Sequence, residues 1–480
     1  METRTVLARW AALGGVALSA ACGGTADGPA GEQAALGEFR VPVEYHTLDN
    51  SLRVVLSPDH TAPTVTVAVY YNIGFRIEPR DRTGFAHLFE HMMFQGSRNL
   101  GKMEFIQLVQ KNGGVMNGST RFDFTNYFEI VPAHMLETML WAEADRMKGL
   151  AVTQENLTNQ QGVVKNEVKV NVLNQPYEGF PWLDMPQLAN ENWYNAHNFY
   201  GDLEDLDAAT LEDVQAFFDQ FYAPNNAVLA IVGDFETDQA MEWIQQYFGD
   251  IPAVEGIELP DITEPRQEEE KRSTKAYARA TRPAIAIGYH MPERNTPEYW
   301  AMGLLDQILL QGDDSRMNEV LVKAEGVTGN VQGGINDQLG GMYNYDGPML
   351  WMLWFFHDAD TPADSILALI DEVIEDARTR PVDAETLARA RVKARSALFG
   401  SIDAFFGFGR ADLLASFAMF DDDPARINGI EEEFAAVTPE LIQRTAQEYL
   451  RPTNRTILTI LLVEPGADAQ GAASAAGGAP

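Results

Sequence analysis

The chain has 480 residues and a formal net charge of −35, and 45% of its residues are hydrophobic. A chain of this length exceeds one ordinary hydrophobic core, so we expect two domains. The negative charge argues against binding to nucleic acid, whose phosphates need lysine and arginine. It would favour basic or neutral substrates over acidic ones, although a requirement for solubility explains the acidity equally well.

The N-terminus has the pattern of an export signal. Arg4 and Arg9 precede an apolar run, residues 10–21, that is too short to span a bilayer. Cys22, the only cysteine, follows small residues at the end of this run, as in bacterial lipoprotein processing sites. We predict a signal segment over residues 1–22 and an exported protein of the periplasm or cell envelope, bound to a membrane only through a lipid on Cys22. An ordinary cleaved signal is the alternative.

Composition divides the rest of the chain. Residues 23–37 are rich in glycine and alanine and predict a flexible tether, and residues 464–480 predict a disordered tail. Residues 251–275 carry prolines and a charge run without apolar periodicity, which is typical of a linker. We therefore expect one domain over residues 38–250 and a second over residues 276–463.

A short helix of the first domain carries the clearest chemical motif. Strand-like TVTVAVYY (64–71) leads to HLFEH, residues 87–91. Residues three and four apart are neighbours on a helix, so His87 and His91 can bind one metal ion with Glu90 beside them. This order is the reverse of HExxH and is typical of the inverted zinc peptidases. The alternative is a helix with two solvated histidines and a surface glutamate.

A third metal ligand has to come from elsewhere in the chain, because a catalytic zinc usually has three protein ligands and one open position. Residues 153–172 predict a helix that contains Glu167. Composition alone cannot choose Glu167 over three other carboxylates, namely Glu155, Glu143 and Asp145.

The second domain looks like a repeat of the first. FYAPNNAVLAIVG (221–233) matches YLRPTNRTILTIL (449–461), and strand-like AIAIGYH (284–290) leads to the helical AMGLLDQILL (301–310). Similar offsets near both ends suggest duplication of one α+β unit. Aligning the two Gln-Gly pairs after these helices places Gly303, Asp306 and Gln307 opposite His87, Glu90 and His91. We expect one half to perform the chemistry and the other to shape or cover the site.

Three segments together resemble the pitrilysin/insulinase family of zinc metallopeptidases: HLFEH, GGVMNGSTRFDFTNYFEIVP (113–132) and GVVKNEVKVNVLNQPYEG (162–179). Two-domain members include the subunits of mitochondrial processing peptidase and bacterial relatives. The resemblance extends from about residue 38 to about residue 463. It implies an α+β fold of two homologous domains, each a mostly antiparallel sheet with helices packed on one face.

The resemblance also implies the roles of the site residues. It gives one zinc ion per chain, bound by His87, His91 and Glu167, with Glu90 as the general base that activates water. It places Asn117 on an edge strand, where an extended peptide can add through main-chain hydrogen bonds. An ordinary turn asparagine is the alternative for Asn117.

The chain departs from the family pattern in two places. Many members have a second glutamate where this chain has Gln160, which can orient the ligands but cannot take a proton. Members also use an arginine and a tyrosine of the C-terminal half to hold substrate. Tyr343 and Tyr345 have no matching arginine within residues 340–351. We therefore expect a second chain to complete the site, in a homodimer or in a heterodimer with a homologous subunit.

These patterns predict an exported zinc endopeptidase that hydrolyses extended peptides or unfolded segments. One alternative is a non-catalytic scaffold or assembly subunit of the same fold, and another is half of a heterodimeric peptidase that is inactive alone. A third is a peptide-binding lipoprotein with a structural zinc. Structural zinc usually has four protein ligands, often thiolates, and the chain has no cysteine beyond Cys22.

Overall fold

Apolar strands of the first half form a six-stranded sheet. The computed structural model describes residues 39–463, and residues 41–463 belong to one compact unit. The strands are β1 (Glu44–Thr47), β2 (Arg53–Pro58), β3 (Thr64–Tyr71), β4 (Val115–Thr120), β5 (Thr125–Pro132) and β6 (Ala227–Gly233). Their order is β1-β2-β6-β3-β5-β4, and only the β2/β6 pair is parallel.

Nine helices belong to this half of the described chain. They are α1 (Phe85–Met92), α2 (Glu104–Lys111), α3 (Leu136–Lys148), α4 (Gln154–Val168), α5 (Asp184–Ala189), α6 (Trp193–Ala196), α7 (Leu203–Ala208), α8 (Leu211–Phe221) and α9 (Thr237–Phe248). A π-helical segment, Lys169–Leu173, continues α4. The helix predicted over residues 153–172 is thus present.

The second half has a five-stranded sheet and six helices. Its strands are β7 (Lys271–Tyr277), β8 (Ala284–His290), β9 (Gln332–Ile335), β10 (Leu350–Phe356) and β11 (Arg455–Leu462), in the order β7-β11-β8-β10-β9. Its helices are α10 (Pro297–Leu309), α11 (Ala363–Thr379), α12 (Ala384–Ile402), α13 (Phe408–Phe420), α14 (Ile430–Ala436) and α15 (Pro439–Tyr449).

The two halves repeat one topology. The order β2-β6-β3-β5-β4 corresponds strand for strand to β7-β11-β8-β10-β9, with the first pair parallel in each case. The turn before the last strand is repeated in detail. The Asn226 side-chain amide donates to the carbonyls of Asn72 and Phe221, and that of Asn454 donates to those of His290 and Tyr449. The predicted α+β class, with two homologous domains and mostly antiparallel sheets, is confirmed.

One helix of each half also packs on the sheet of the other half. Helix α13 packs on β3 and β6, and the hydroxyl of Tyr70 on β3 donates to Asp412 of α13 at 2.7 Å. In return, α5 packs on β8 and β11, and its Asp184 accepts hydrogen bonds from Lys275 and Tyr277 of β7 at 2.7 Å each. Helices therefore lie on both faces of the first sheet, and this exchange joins the halves into one body.

The connection between the halves is extended. Residues 251–270 contain no helix or strand, and β7 begins at Lys271, inside the range predicted as the linker, 251–275. Between residues 39 and 463, no helix is long and apolar enough to cross a membrane. The predicted signal segment, Cys22, the tether and the tail lie outside the described residues.

Candidate metal centre and active-site cleft

Helix α1, which carries HLFEH, is fixed at its first turn. It begins after Gly84, whose φ is +80° and where a Cβ would lie 2.5 Å from the carbonyl oxygen of Tyr200. The buried carboxylate of Glu78 accepts the N–H groups of Gly84 (2.8 Å) and Ala86 (2.5 Å). A carboxylate is stabilised there because the first N–H groups of a helix lack partners within it. Glu78 therefore anchors the helix that positions the motif.

Three side chains converge beside this helix. Nε2 of His91 lies 3.1 Å from one carboxylate oxygen of Glu167, and Nε2 of His87 lies 3.6 Å from the other. The two imidazole nitrogens are 3.3 Å apart. Within residues 39–463 this is the one group of three potential ligands whose donor atoms all lie within 4.8 Å of one another. Two imidazoles and one carboxylate form the donor set of a zinc site with an open position, so these residues fit that metal.

The surroundings favour the metal-binding forms of these donors. The His87 side chain is 3% exposed, and burial lowers its pKa to about 4, so the imidazole is neutral at pH 7. The hydrogen bond with His91 lowers the pKa of Glu167, so its carboxylate is ionised. Metal ions bind neutral imidazole and ionised carboxylate. A metal therefore meets no competing proton on His87 or Glu167.

Glu90 lies on the same helix, against the edge strand of the sheet. The hydroxyl of Thr120 on β4 donates to its carboxylate at 2.8 Å, and a Cβ on Gly118 would lie 3.2 Å from Glu90 Cγ. Burial raises the pKa of Glu90, against the opposing effect of the Thr120 hydrogen bond. A carboxylate with a raised pKa is a stronger base at neutral pH. Glu90 thus has the environment of a general base.

A segment after α6, which we call the strap (residues 197–201), crosses the metal-ligand cluster. The Tyr200 hydroxyl donates to Glu167 at 3.3 Å. The rings of Phe199 and Tyr200 pack on the His87 imidazole, with centroids 5.2 and 5.0 Å away. Nε2 of His197 lies 3.7 Å from the Glu78 carboxylate. The strap therefore joins the anchor of α1 to two of the three ligands.

A cleft of about 260 Å³ opens at these residues. The first half contributes most of its lining, and the second half contributes Gln338 and Leu339. The first-half residues are His87, Glu90, Ser119, Thr120, Arg121, Glu167, Trp182, Phe199 and Tyr200. The cleft therefore joins the candidate metal centre to the edge strand and to an apolar wall.

The remaining predicted residues lie outside the lining of this cleft. Asn117 is exposed on β4, the edge strand of the first sheet, two residues before Ser119. Gln160 is buried on α4, about two turns before Glu167. Tyr343 and Tyr345 lie in the second half, where the Tyr345 side chain is buried. Their functional roles stay predictions.

The other candidate carboxylates have different surroundings. Glu155 is exposed in the first turn of α4. Glu143 is buried in an ion pair with Arg146, and Asp145 accepts hydrogen bonds from Ser97 and Asn99. Among the four carboxylates that the sequence left open, Glu167 is the one that meets the histidines.

Among the site residues that sequence reasoning missed are Thr120, Arg121 and Tyr200. Thr120 and Arg121 lie within GGVMNGSTRFDFTNYFEIVP, and Tyr200 follows a short helix. Their types and spacing match no general catalytic motif. Their roles arise from contacts between elements distant in sequence.

Comparison with known proteins now adds to this geometry. The family described as "Insulinase (Peptidase family M16)" matches residues 53–180, and the family described as "Peptidase M16 inactive domain" matches residues 208–393. The chain belongs to the insulinase family, peptidase M16. The inactive-domain match includes α10, which has Gly303, Asp306 and Gln307 at the positions of the motif residues, and the other match includes HLFEH.

One curated protein is similar to this chain in sequence, and two solved structures share its fold. Zinc protease PqqE of Helicobacter pylori is 28% identical over 283 residues, which cover 58% of this chain but only 63% of that protein. The crystal structure of a protease from Helicobacter pylori has a TM-score of 0.80 at 22% identity, covering 88% of this chain and all of that one. A Pseudomonas fluorescens structure described as a peptidase M16 inactive domain has a TM-score of 0.75 at 16% identity, with the same coverage.

Proposed function

We propose that this chain is a zinc-dependent endopeptidase that hydrolyses extended peptides or unfolded segments. The observation that carries the proposal is the convergence of His87, His91 and Glu167 within 4.8 Å, with Glu90 on the same helix. The M16 family assignment and the similarity to PqqE of Helicobacter pylori, which is described as a zinc protease, support it.

His87, His91 and Glu167 would hold one zinc ion in this proposal. The chemistry that zinc supplies when bound is a lowered pKa for water and polarisation of the scissile carbonyl. Tyr200 would keep the Glu167 carboxylate oriented, because its hydroxyl occupies one lone pair of an oxygen that faces His87.

Glu90 would act first as the general base and then as the general acid. It accepts a proton from the attacking water and passes it to the leaving amine as the peptide bond breaks. Thr120 holds the carboxylate on the cleft side of α1, and burial keeps its pKa raised, so that the carboxylate accepts a proton readily. Replacing Glu90 by Gln removes this function while leaving the three donor side chains intact.

The substrate would bind in extended form along β4. Among the described strands, β4 pairs only with β5, so its other edge has free N–H and C=O groups for a peptide. This edge runs past Glu90 and has Asn117 on it. Main-chain recognition of this kind needs an unfolded segment, since a folded protein seldom offers a free strand.

Export, lipid attachment at Cys22 and pairing with a second chain are part of the proposal. The signal-like residues 1–22 support export. The lining of the cleft supports pairing with a second chain. Among the described residues, the second half contributes no arginine or tyrosine to this lining, so the groups expected to hold the substrate would have to come from elsewhere. A homodimer or a heterodimer with a homologous subunit could supply these groups.

The test is cleavage of a fluorescence-quenched peptide library by the full chain, before chelation, after chelation and after zinc return. We expect cleavage that chelation abolishes and zinc restores. Glu90→Gln should retain zinc and lose nearly all cleavage, whereas Glu155→Gln, an exposed glutamate of α4, should retain both. Full activity of Glu90→Gln would contradict the mechanism. Zinc binding without cleavage by the purified chain, followed by cleavage with a homologous subunit, would indicate the heterodimer.

A further inference from the structure

Arg121 stands at the end of the edge strand, inside the cleft. It follows Thr120, the last residue of β4. Its N–H donates to the carbonyl of Phe124 at 2.8 Å, and its carbonyl accepts the N–H of Phe75 at 3.1 Å. The backbone at Arg121 is therefore held on both sides, while its half-buried side chain lines the cleft.

The guanidinium of Arg121 has no fixed partner among the described residues. No ion pair or side-chain hydrogen bond joins it to another residue between 39 and 463, although its positive charge favours the ionised forms of Glu90 and of the half-buried Asp412. Asp412 is already hydrogen-bonded to Tyr70 and to Asn344. Arg121 is the one arginine or lysine in the described lining of the cleft. Arginine in a protein interior normally pairs with an anion.

The position of Arg121 along β4 fixes what it can meet. Thr120 is hydrogen-bonded to Glu90 and Gly118 lies beside the Glu90 side chain, so the scissile bond of a peptide on this edge lies opposite that part of the strand. Each strand residue advances the chain by ~3.3 Å. Arg121 therefore lies opposite a substrate position one or two residues from the scissile bond.

We propose that Arg121 is a specificity-determining residue that binds a carboxylate of the peptide substrate close to the scissile bond. The inference rests on the proposed peptidase function. The carboxylate is either an aspartate or glutamate side chain or the free C-terminus of a short peptide. A guanidinium binds either one through two parallel N–H donors. The net charge of −35 predicts that the protein surface as a whole favours basic or neutral substrates. Close to Arg121 we expect the opposite preference, for an acidic group.

Quenched peptides test this assignment. One set carries Glu or Gln at each of the two positions on either side of the cleaved bond, and a second set has a free or an amidated C-terminus. We expect the wild-type chain to prefer the carboxylate form by about tenfold in kcat/KM, mainly through KM. Arg121→Gln should remove the preference, and Arg121→Lys should keep part of it. Arg98→Gln removes a charge from an exposed arginine and should leave the preference intact.

Binding of the same peptides to Glu90→Gln gives a readout without turnover. We expect tighter binding of the carboxylate form, and loss of the difference in the double variant Glu90→Gln/Arg121→Gln. Preference in the first peptide set assigns a side-chain carboxylate, and preference in the second assigns the C-terminus. Equal cleavage and equal binding of both forms would overturn the role of Arg121 and leave the peptidase proposal standing. If no peptide is cleaved by the chain alone or together with a homologous subunit, the peptidase proposal fails, and the binding experiment still decides the role of Arg121.

Discussion

Helices α1 and α10 occupy equivalent places in the two halves, yet among residues 39–463 only α1 carries candidate metal ligands at these positions. At the position of His87, α10 has Gly303, where a Cβ would lie 2.7 Å from Met342 and 3.1 Å from Phe434. Asp306, opposite Glu90, accepts hydrogen bonds from Trp351 and Gln311. The duplicated sheet persists without a metal centre, so the fold does not depend on the metal ligands.

The helices that pack on α1 and α10 differ in the same way. Helix α4 presents Glu167 to two histidines, whereas α12 presents Lys393 to the backbone carbonyls of Gln307 and Gln311, at 2.9 and 2.5 Å. A carboxylate at one contact creates a cation site, and an ammonium group at the other satisfies carbonyls near the end of a helix. A few side chains at a helix–helix contact therefore separate a candidate active half from a structural half.

The largest expected effect comes from replacing the two residues at one matched position, His91 in α1 and Gln307 in α10. His91→Ala should lose zinc and lower peptidase activity by about a thousandfold or more, because only two donors remain. Gln307→Ala, at the matching position of α10, should leave the zinc content and the peptidase activity unchanged. Metal analysis and peptide cleavage measure this contrast. Equal loss in the two variants would break the functional division between the halves.

The second effect concerns pH and Asp306. Burial raises its pKa to about 6, so the folded chain binds a proton between pH 4 and 6 that the unfolded chain has released. Stability from this group therefore falls as pH rises through that window. Asp306→Asn mimics the protonated form and does not titrate. The free energy of unfolding of this variant, relative to that of the wild type, should therefore rise by about 2 kcal/mol between pH 4.5 and pH 7. Urea unfolding of the metal-free proteins measures the difference, and a constant difference across this range would contradict the assignment.

A smaller effect is expected at the strap. Tyr200→Phe removes the hydroxyl that donates to Glu167, and zinc affinity should fall by about tenfold, as for other groups that orient metal ligands. The matched control is Tyr247→Phe, which removes a hydroxyl bonded to the exposed Glu137 in the same half. Competition with a zinc-binding dye measures both. Unchanged affinity of Tyr200→Phe would assign the strap a packing role only.

Periodicity and apolar runs predicted the elements well, because those signals are local. Strand β3 covers residues 64–71 as predicted, and Val164 and Val168 are buried while Val163 and Val170, in the same predicted helix, are exposed. The position of Glu167 opposite the histidines depends on how α4 packs against α1, so local sequence left four carboxylates open. The packing of α5 and α13 on the opposite sheets also had no local signal, since the sequence of neither helix indicates which sheet it contacts.

The smallest effect tests whether space is what distinguishes the two helices. Alanine favours a helix over glycine by about 1 kcal/mol, so Gly162→Ala in α4, where a Cβ would meet no atom within 4 Å, should stabilise the chain by about that amount. Gly303→Ala should gain less, because the new Cβ must displace the end of Met342 and the ring of Phe434. Thermal unfolding of the two variants measures the contrast. Equal stabilisation would mean that α10 can admit a side chain, and that its lack of a histidine reflects selection for function and not a limit of packing.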